Sequence, residues 1–337
     1  MTNKVHFQLT AGTDVGLQRS NNEDNFVVNA NLAGQEWFIP KDRVSHITLR
    51  EKGCLLVVAD GMGGMNAGEV ASGIAIDSIQ KSFLPENITD DVIRRTASIK
   101  DFMTAAIVSA DNAIREHARE NPDTLGMGTT IIMAWILDKN VYVSWCGDSR
   151  AYSFHPESGL IRLSKDHSYV QELVDSGRLD DEAAFSHPNS NIITRSLGDP
   201  GETAVPDFVG HGLCDGEVIL LCTDGLSGML RDRAIEGIMT GTAGDVDVCK
   251  NTLIESALRE GGQDNVTVAL CKIIPEANVA DEAGRGAVAD TADGEAGKPK
   301  RPRKSPVVKL ILIVAILLFC LIALGLYCMR YIYNPEP

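Results

Sequence analysis

Residues Cys54–Gly64 read CLLVVADGMGG: an apolar run, then a single carboxylate, Asp60, then a turn of glycines and a methionine. A short apolar run bounded by glycines suits a strand buried on both faces. Such a strand would carry Asp60 to its tip and hand it to a turn with almost no side-chain bulk. The pattern recurs along the chain. VILLCTDG (Val218–Gly225) ends at Asp224, VYVSWCGDSR (Val141–Arg150) leads to Asp148, and GGQDNVTVALCKI (Gly261–Ile273) sets Asp264 just before another strand. One aspartate in a glycine turn is ordinarily a solvated carboxylate. Four at the ends of strands that share a sheet can converge, and like charges held that close repel unless cations neutralise them.

Oxygen ligands select hard ions, so the pattern predicts Mg²⁺ or Mn²⁺, and no H-E-x-x-H or Cys/His cluster offers a zinc site in its place. Two such ions sharing a bridging carboxylate, expected here to be Asp60, clamp phosphorus for in-line attack by a water they activate. Gly61, Gly63 and Gly64 would then let main chain and phosphate approach. Upstream, TDVGLQRSNNEDN (Thr13–Asn25) combines Arg19 with Glu23 and Asp24. A planar guanidinium can hold a phosphate in bidentate fashion, which makes Arg19 a candidate clamp.

The 337 residues suffice for a large buried core, and a hydrophobic share of 44% with 23% charged residues is that of a globular body. A formal charge of −15 argues against nucleic acid, whose phosphates need a basic face. The eight cysteines form no C-x-x-C pair, and several lie in apolar runs; they read as reduced core residues of a cytoplasmic protein. Met1–Thr13 lacks the apolar core of a secretion signal.

Composition divides the chain into a folded body (residues 1–274), a linker (275–306) ending in the basic KPKRPRK, an apolar stretch (307–329) and a short tail (330–337). The stretch VVKLILIVAILLFCLIALGLYCM is long enough to cross a bilayer as a helix. Lys298, Lys300, Arg301, Arg303, Lys304 and Lys309 precede most of it and Arg330 follows, so the positive-inside bias predicts a single-pass anchor with a cytoplasmic body and a short extracytoplasmic tail. Within the body, helices are expected at 68–83, 101–120, 168–176 and 246–259. Strands are expected at 26–29, 54–60, 129–137, 141–146, 151–154, 218–223 and 265–273. The 129–137 and 141–146 runs, joined by DKN, read as an antiparallel hairpin, and long helices must then cover outer faces. The expected class is α+β, a layered sandwich.

Taken in order, TDVGLQRSNNEDN, VADGMGG, MGTT, CGDSR, LSKDHS, ITRSLG, CTDG and GGQDNVT resemble the metal-dependent type 2C (PPM) serine/threonine protein phosphatases, in their bacterial form, over roughly residues 10–273. The resemblance implies a central antiparallel β-sandwich flanked by α-helices, with two Mn²⁺ or Mg²⁺ ions at one end. It implies that Asp60 bridges both ions and Gly61 offers its carbonyl to one. Asp224 and Asp264 complete the other ion's shell, Glu23 and Asp24 act mostly through waters, and Arg19 binds phosphate. Asp148 matches the residue that helps hold a third, weaker ion beside Asp224, and Asn265 is expected to support the ligands from behind. The implied activity is hydrolysis of phosphoserine and phosphothreonine by direct attack of the activated water.

Some members carry a histidine two residues after the bridging aspartate; here it is Met62, which cannot donate a proton. His167 reads as a structural residue. YVQELVDSGRLDDEAAFSHPNSN (Tyr169–Asn191) resembles the flap beside the active site of bacterial members, while Leu32–Gly53 has no functional reading. Two other functions remain open: a silent module that binds phosphorylated partners, and a phosphatase of small metabolites. A membrane serine/threonine kinase, or its targets, is the expected partner, since a shared membrane raises effective concentration.

Overall fold

The computed structural model describes residues 5–38, 44–63, 67–242 and 245–275, which fall within one compact unit. The expected linker and membrane span lie outside the described residues; among the described residues no helix is long and apolar enough to cross a membrane.

Two antiparallel sheets stack face to face. Strands β1 (His6–Asp14) to β5 (Cys54–Met62) include β2 (Asp24–Asn29), β3 (Trp37–Phe38) and β4 (Ser45–Thr48). The later strands are β6 (Gly128–Thr129), β7 (Ile131–Leu137), β8 (Asn140–Cys146), β9 (Arg150–His155), β10 (Gly159–Arg162), β11 (Asp207–Gly212), β12 (Val218–Cys222) and β13 (Val266–Ile274). One sheet runs β10-β9-β12-β13-β1-β4 and the other β11-β8-β7-β5-β2-β3, with β6 paired to the end of β5.

The apolar runs alternate between two cores. On β5, Cys54, Leu56 and Val58 face the gap between the sheets, while Leu55, Val57 and Ala59 face the helices outside. On β12, Ile219 and Leu221 point into the gap, and Val218, Leu220 and Cys222 point outward. A strand covered on both faces has no solvent side to keep polar, which is why these stretches are continuously apolar. Helices α1 (Ala67–Ser82), α2 (Asp90–Ile93) and α3 (Thr96–Glu120) lie on the β5 side, where Ile79, Met103 and Ile107 pack with Trp135 and Phe83. Of α4 (Tyr169–Asp175), α5 (Asp181–Phe185), α6 (Asp224–Ser227), α7 (Asp232–Thr242) and α8 (Val246–Arg259), the last two cover the other sheet through Ile235, Met239 and Leu253.

The expected hairpin is present: Leu137 pairs with Asn140 across Asp138 and Lys139, with Asp138 at φ 53°. Several elements depart from the expectation. The strand carrying Asp60 runs on through Gly61 and Met62, because these pair with Thr129 and Gly128 of β6. The helix expected at 101–120 begins five residues earlier, where Ile99 is buried against the same core. Strands β1, β3, β4, β10 and β11 and helices α2, α5, α6 and α7 were not anticipated. Leu32–Gly53 supplies an edge strand to each sheet: β3 pairs with β2 and β4 with β1. Of the described cysteines none is in a disulfide, and Cys214 is exposed rather than in the core, because it sits in the turn between β11 and β12.

Candidate metal centre

The sandwich brings the predicted acids to one end. Asp24 stands directly opposite Asp60 in the β2–β5 register. Asp224 follows β12, Asp264 precedes β13, and β12 and β13 are neighbours. Asp148 lies in the β8–β9 turn, and β9 pairs with β12 so that Arg150 faces Cys222. The charge of Asp224 helps to raise the Asp60 carboxyl, as expected of two acids whose repulsion a proton or a cation between them would relieve.

The electrostatics carry the same message. Burial, followed by the charges of neighbouring aspartates, holds the carboxyls of Asp60 and Asp148 well above the usual carboxylate range. Burial does the same to Asp24 against two hydroxyl hydrogen bonds, and burial and Asp264 push Asp224 up to about 6. Glu23 is raised, chiefly by burial. Packing this many acids together is costly unless positive charge joins them. Asp224 Oδ1 is buried and without a hydrogen-bond partner. An orphaned carboxylate oxygen among crowded acids fits a set of hard-ion ligands, so the residues present suit the divalent ions. Among the described residues no group of three or more His, Cys, Asp or Glu side chains is placed so that it could hold a metal ion without moving. The acids are neighbours that a cation would draw together.

The surrounding hydrogen bonds fix these groups. Asp24 Oδ2 accepts from Thr223 Oγ1 (2.9 Å) and Thr267 Oγ1 (2.6 Å). The carbonyl of Asp60 accepts from Thr129 Oγ1 and from the Thr130 amide, both at 2.8 Å. Asn265 Nδ2 donates to the carbonyls of Val15 and Asn21, and its Oδ1 accepts from the Glu23 amide, so it ties the loop of Arg19 and Glu23 to the start of β13. Arg19 Nη2 donates to Asp264 Oδ2 at 2.6 Å, a bond that raises the guanidinium pKa, and half of the arginine side chain stays exposed. It is therefore tethered at the rim with donors to spare.

Gly61 has a packing reason as well: a Cβ there would stand 2.2 Å from the Gly68 carbonyl oxygen and 2.5 Å from that of Glu23. The bare backbone is needed where α1 and the Glu23 loop converge, not only for ligand approach. Gly63 sits at φ 154°, while Gly64 lies outside the described residues. Met62 offers no proton. His167 is buried, its Nδ1 accepts from the Gly147 amide at 3.1 Å, and Nε2 faces Asp207 at 3.3 Å; burial lowers its pKa, as suits a neutral structural residue. The roles of Thr223, Thr267, Thr129 and Thr130 escaped the sequence reading, although all four sit inside the quoted motifs.

Comparison with known proteins agrees with the geometry. The protein phosphatase 2C family profile matches residues 40–247. Protein phosphatase PhpP of Streptococcus pneumoniae is 33% identical over 275 residues, covering 80% of this chain and 98% of PhpP. The crystal structure of the Mycobacterium tuberculosis serine/threonine phosphatase PstP superposes with a TM-score of 0.64 at 31% identity, covering 80% of this chain and 100% of the other. The PstP catalytic domain has also been solved in complex with two manganese ions, and that structure superposes with a TM-score of 0.62 at 30% identity and the same coverage. The chain belongs to the protein phosphatase 2C family, the metal-dependent serine/threonine protein phosphatases.

Proposed function

We propose that this chain removes phosphate from phosphoserine and phosphothreonine in proteins by direct attack of water, without a phosphoenzyme, at the end of the sandwich that carries Asp60. The observation that carries the reading is the convergence of Asp24, Asp60, Asp148 and Asp224, whose carboxyl pKa values are raised and one of whose oxygens is unpartnered, beside Asp264 at the start of the neighbouring strand. Asp60, Asp224, Asp264 and the Gly61 carbonyl would hold two Mn²⁺ or Mg²⁺ ions, with Glu23 and Asp24 behind them and Asp148 beside Asp224 for a weaker third. When bound, such ions supply Lewis acidity at the phosphoryl oxygens and lower the pKa of the attacking water.

The chain's own groups do the rest. Arg19, already at the rim, orients the phosphate through donors its bond to Asp264 leaves free. Thr223 and Thr267 hold Asp24 in place, and Asn265 keeps the Arg19 loop in register with Asp264. His167 has both ring nitrogens engaged and Met62 has no proton, so neither supplies the leaving oxygen with one.

The apolar stretch 307–329 would anchor the protein, as a single span with its body cytoplasmic, and a membrane serine/threonine kinase or its substrates would be its partners. This part rests on the apolar length and the preceding basic cluster. The test is phosphate release from a phosphothreonine peptide by residues 1–274 with and without Mn²⁺, with Asp264→Asn alongside and a sugar phosphate as competitor substrate. Metal-dependent turnover of the peptide, lost in the variant, is expected. Peptide binding without turnover would instead indicate a binding module, and preference for the sugar phosphate a metabolite phosphatase. Fractionation of cells expressing the full chain and residues 1–274 checks the anchor, with only the full chain expected in membranes.

A further inference from the structure

The Tyr169–Asn191 excursion rises from the rim of the centre. At its start, His167 packs against Gly147, the neighbour of Asp148. At its end, Leu197 exchanges backbone hydrogen bonds with Thr129, whose hydroxyl donates to the Asp60 carbonyl. Its base is closed by Tyr169 N donating to the Ile192 carbonyl and Thr194 N to that of His167, both at 2.8 Å. Tyr169 and Ile192 are exposed apolar residues there. Both ends of the excursion are thus attached to the segments that carry Asp148 and Asp60.

The outer helix of this excursion, α5, is gripped by one arginine. Arg231 Nη1 meets Glu182 Oε2 at 2.8 Å and the Glu182 carbonyl at 3.5 Å, and its guanidinium carbon lies 4.2 Å from the centroid of the Phe185 ring. Arg231 stands on a fixed base. Its neighbour Asp232 accepts from Tyr152 Oη at 2.8 Å and faces Arg150 at 3.3 Å. Arg150 in turn holds Asp166 through Nε and Nη2, at 3.0 and 2.7 Å, next to the excursion's root at His167 and Ser168. Root and outer helix are thus tied to the same ion network on β9. Arg231 also follows, by a short helical turn, the residue Asp224 of the centre: the Gly228 amide donates to the Asp224 carbonyl and the Leu230 amide to that of Leu226.

We propose that Arg231 is a positioning residue for protein substrates: by clasping Glu182 and Phe185 it holds the excursion in register with the centre, so that recognition of a phosphorylated polypeptide, and not the chemistry, depends on it. The proposal rests on the phosphatase reading above. Lysine can keep the ion pair but not the planar stacking on Phe185.

The test compares wild type, Arg231→Ala, Arg231→Lys and Glu182→Gln on a phosphothreonine peptide and on p-nitrophenyl phosphate, with hydrogen exchange over residues 177–187. An exposed ion pair and one cation–π contact together correspond to roughly a five- to thirtyfold change in an equilibrium. Arg231→Ala is expected to raise the peptide KM by about that factor and speed exchange in α5, with kcat on either substrate and KM for p-nitrophenyl phosphate within about twofold. Arg231→Lys and Glu182→Gln are expected to fall between. Unchanged peptide KM in Arg231→Ala would overturn the proposal, as would an equal loss on both substrates. Wild-type inactivity on both would instead sink the phosphatase reading beneath it.

Discussion

Asp24 is the acid whose surroundings say most about single-residue design. Its carboxylate accepts from two threonine hydroxyls, which orient it and offset part of what burial costs the charged form. Removing one hydroxyl should leave the fold intact and weaken metal binding, as loss of an outer hydrogen bond to a ligand usually does by about 10- to 100-fold. Thr267→Val is therefore expected to raise the Mn²⁺ concentration for half-maximal activity by about tenfold or more, and an unchanged metal requirement would remove Thr267 from the account. The same crowding sets a pH dependence. Asp24, Asp60, Asp148 and Asp224 all have folded-state pKa values above the unfolded one, so in the metal-free protein their contribution to stability is full below about pH 4. It is lost as pH rises through the folded values, near 6 for Asp224. Mn²⁺ should relieve that loss, so its increment in Tm should be larger at pH 7.5 than at pH 5; an equal or smaller increment at pH 7.5 would contradict it. Asp60 and Asp224 were legible in the sequence because each ends an apolar run beside glycine, and Asp264 because it stands just before one. Thr223 and Thr267 were not, since a threonine on a strand is ordinary and its partner lies some 200 residues away in the chain.

Among the elements, α3 does more than cover a sheet. Its Asp111 is fully buried, accepts from the amides of Gly198 (2.8 Å) and Ala204 (3.1 Å), and pairs with Arg115 at 3.2 Å. It thereby pins the segment whose Leu197 bridges to Thr129, beside Asp60. Asp111→Ala would orphan two amides and a largely buried guanidinium, for an expected loss of about 3 kcal/mol or more. The denaturation midpoint checks this, and a loss within about 1 kcal/mol would show the segment held by other means. Elements with strong periodicity or continuous apolar character, such as α8 and β5, were legible within a residue or two. Those that were not have local signals opposed to their state. β11 is Asp207–Gly212 with two glycines and owes its extension to pairing with β8, and α7 contains two glycines and two threonines yet forms because Ile235 and Met239 bury against the sheet. Leu32–Gly53 looked like an overlong loop because β3 and β4 are two and four residues long, each stabilised only by an edge of a different sheet.

At the scale of the molecule, two sheets stacked between helices leave one end where five strand-end segments meet, and that end is where the acids gather. The layered α+β class followed from hairpin-like spacing, which makes neighbouring strands antiparallel, and from long helices that must then cover outer faces. The pairing order, with β12 and β13 side by side and β2 against β5, follows from contacts far apart in sequence, which periodicity does not encode. That order is what makes Asp24 face Asp60 and sets Asp224 near Asp264. The most direct measurement is anomalous diffraction from a crystal of residues 1–274 soaked in Mn²⁺. Two peaks flanking the Asp60 carboxylate, with Asp224 and Asp264 at one of them, are the predicted result. Peaks elsewhere, or none between these side chains, would contradict the central claim that the acids are metal ligands.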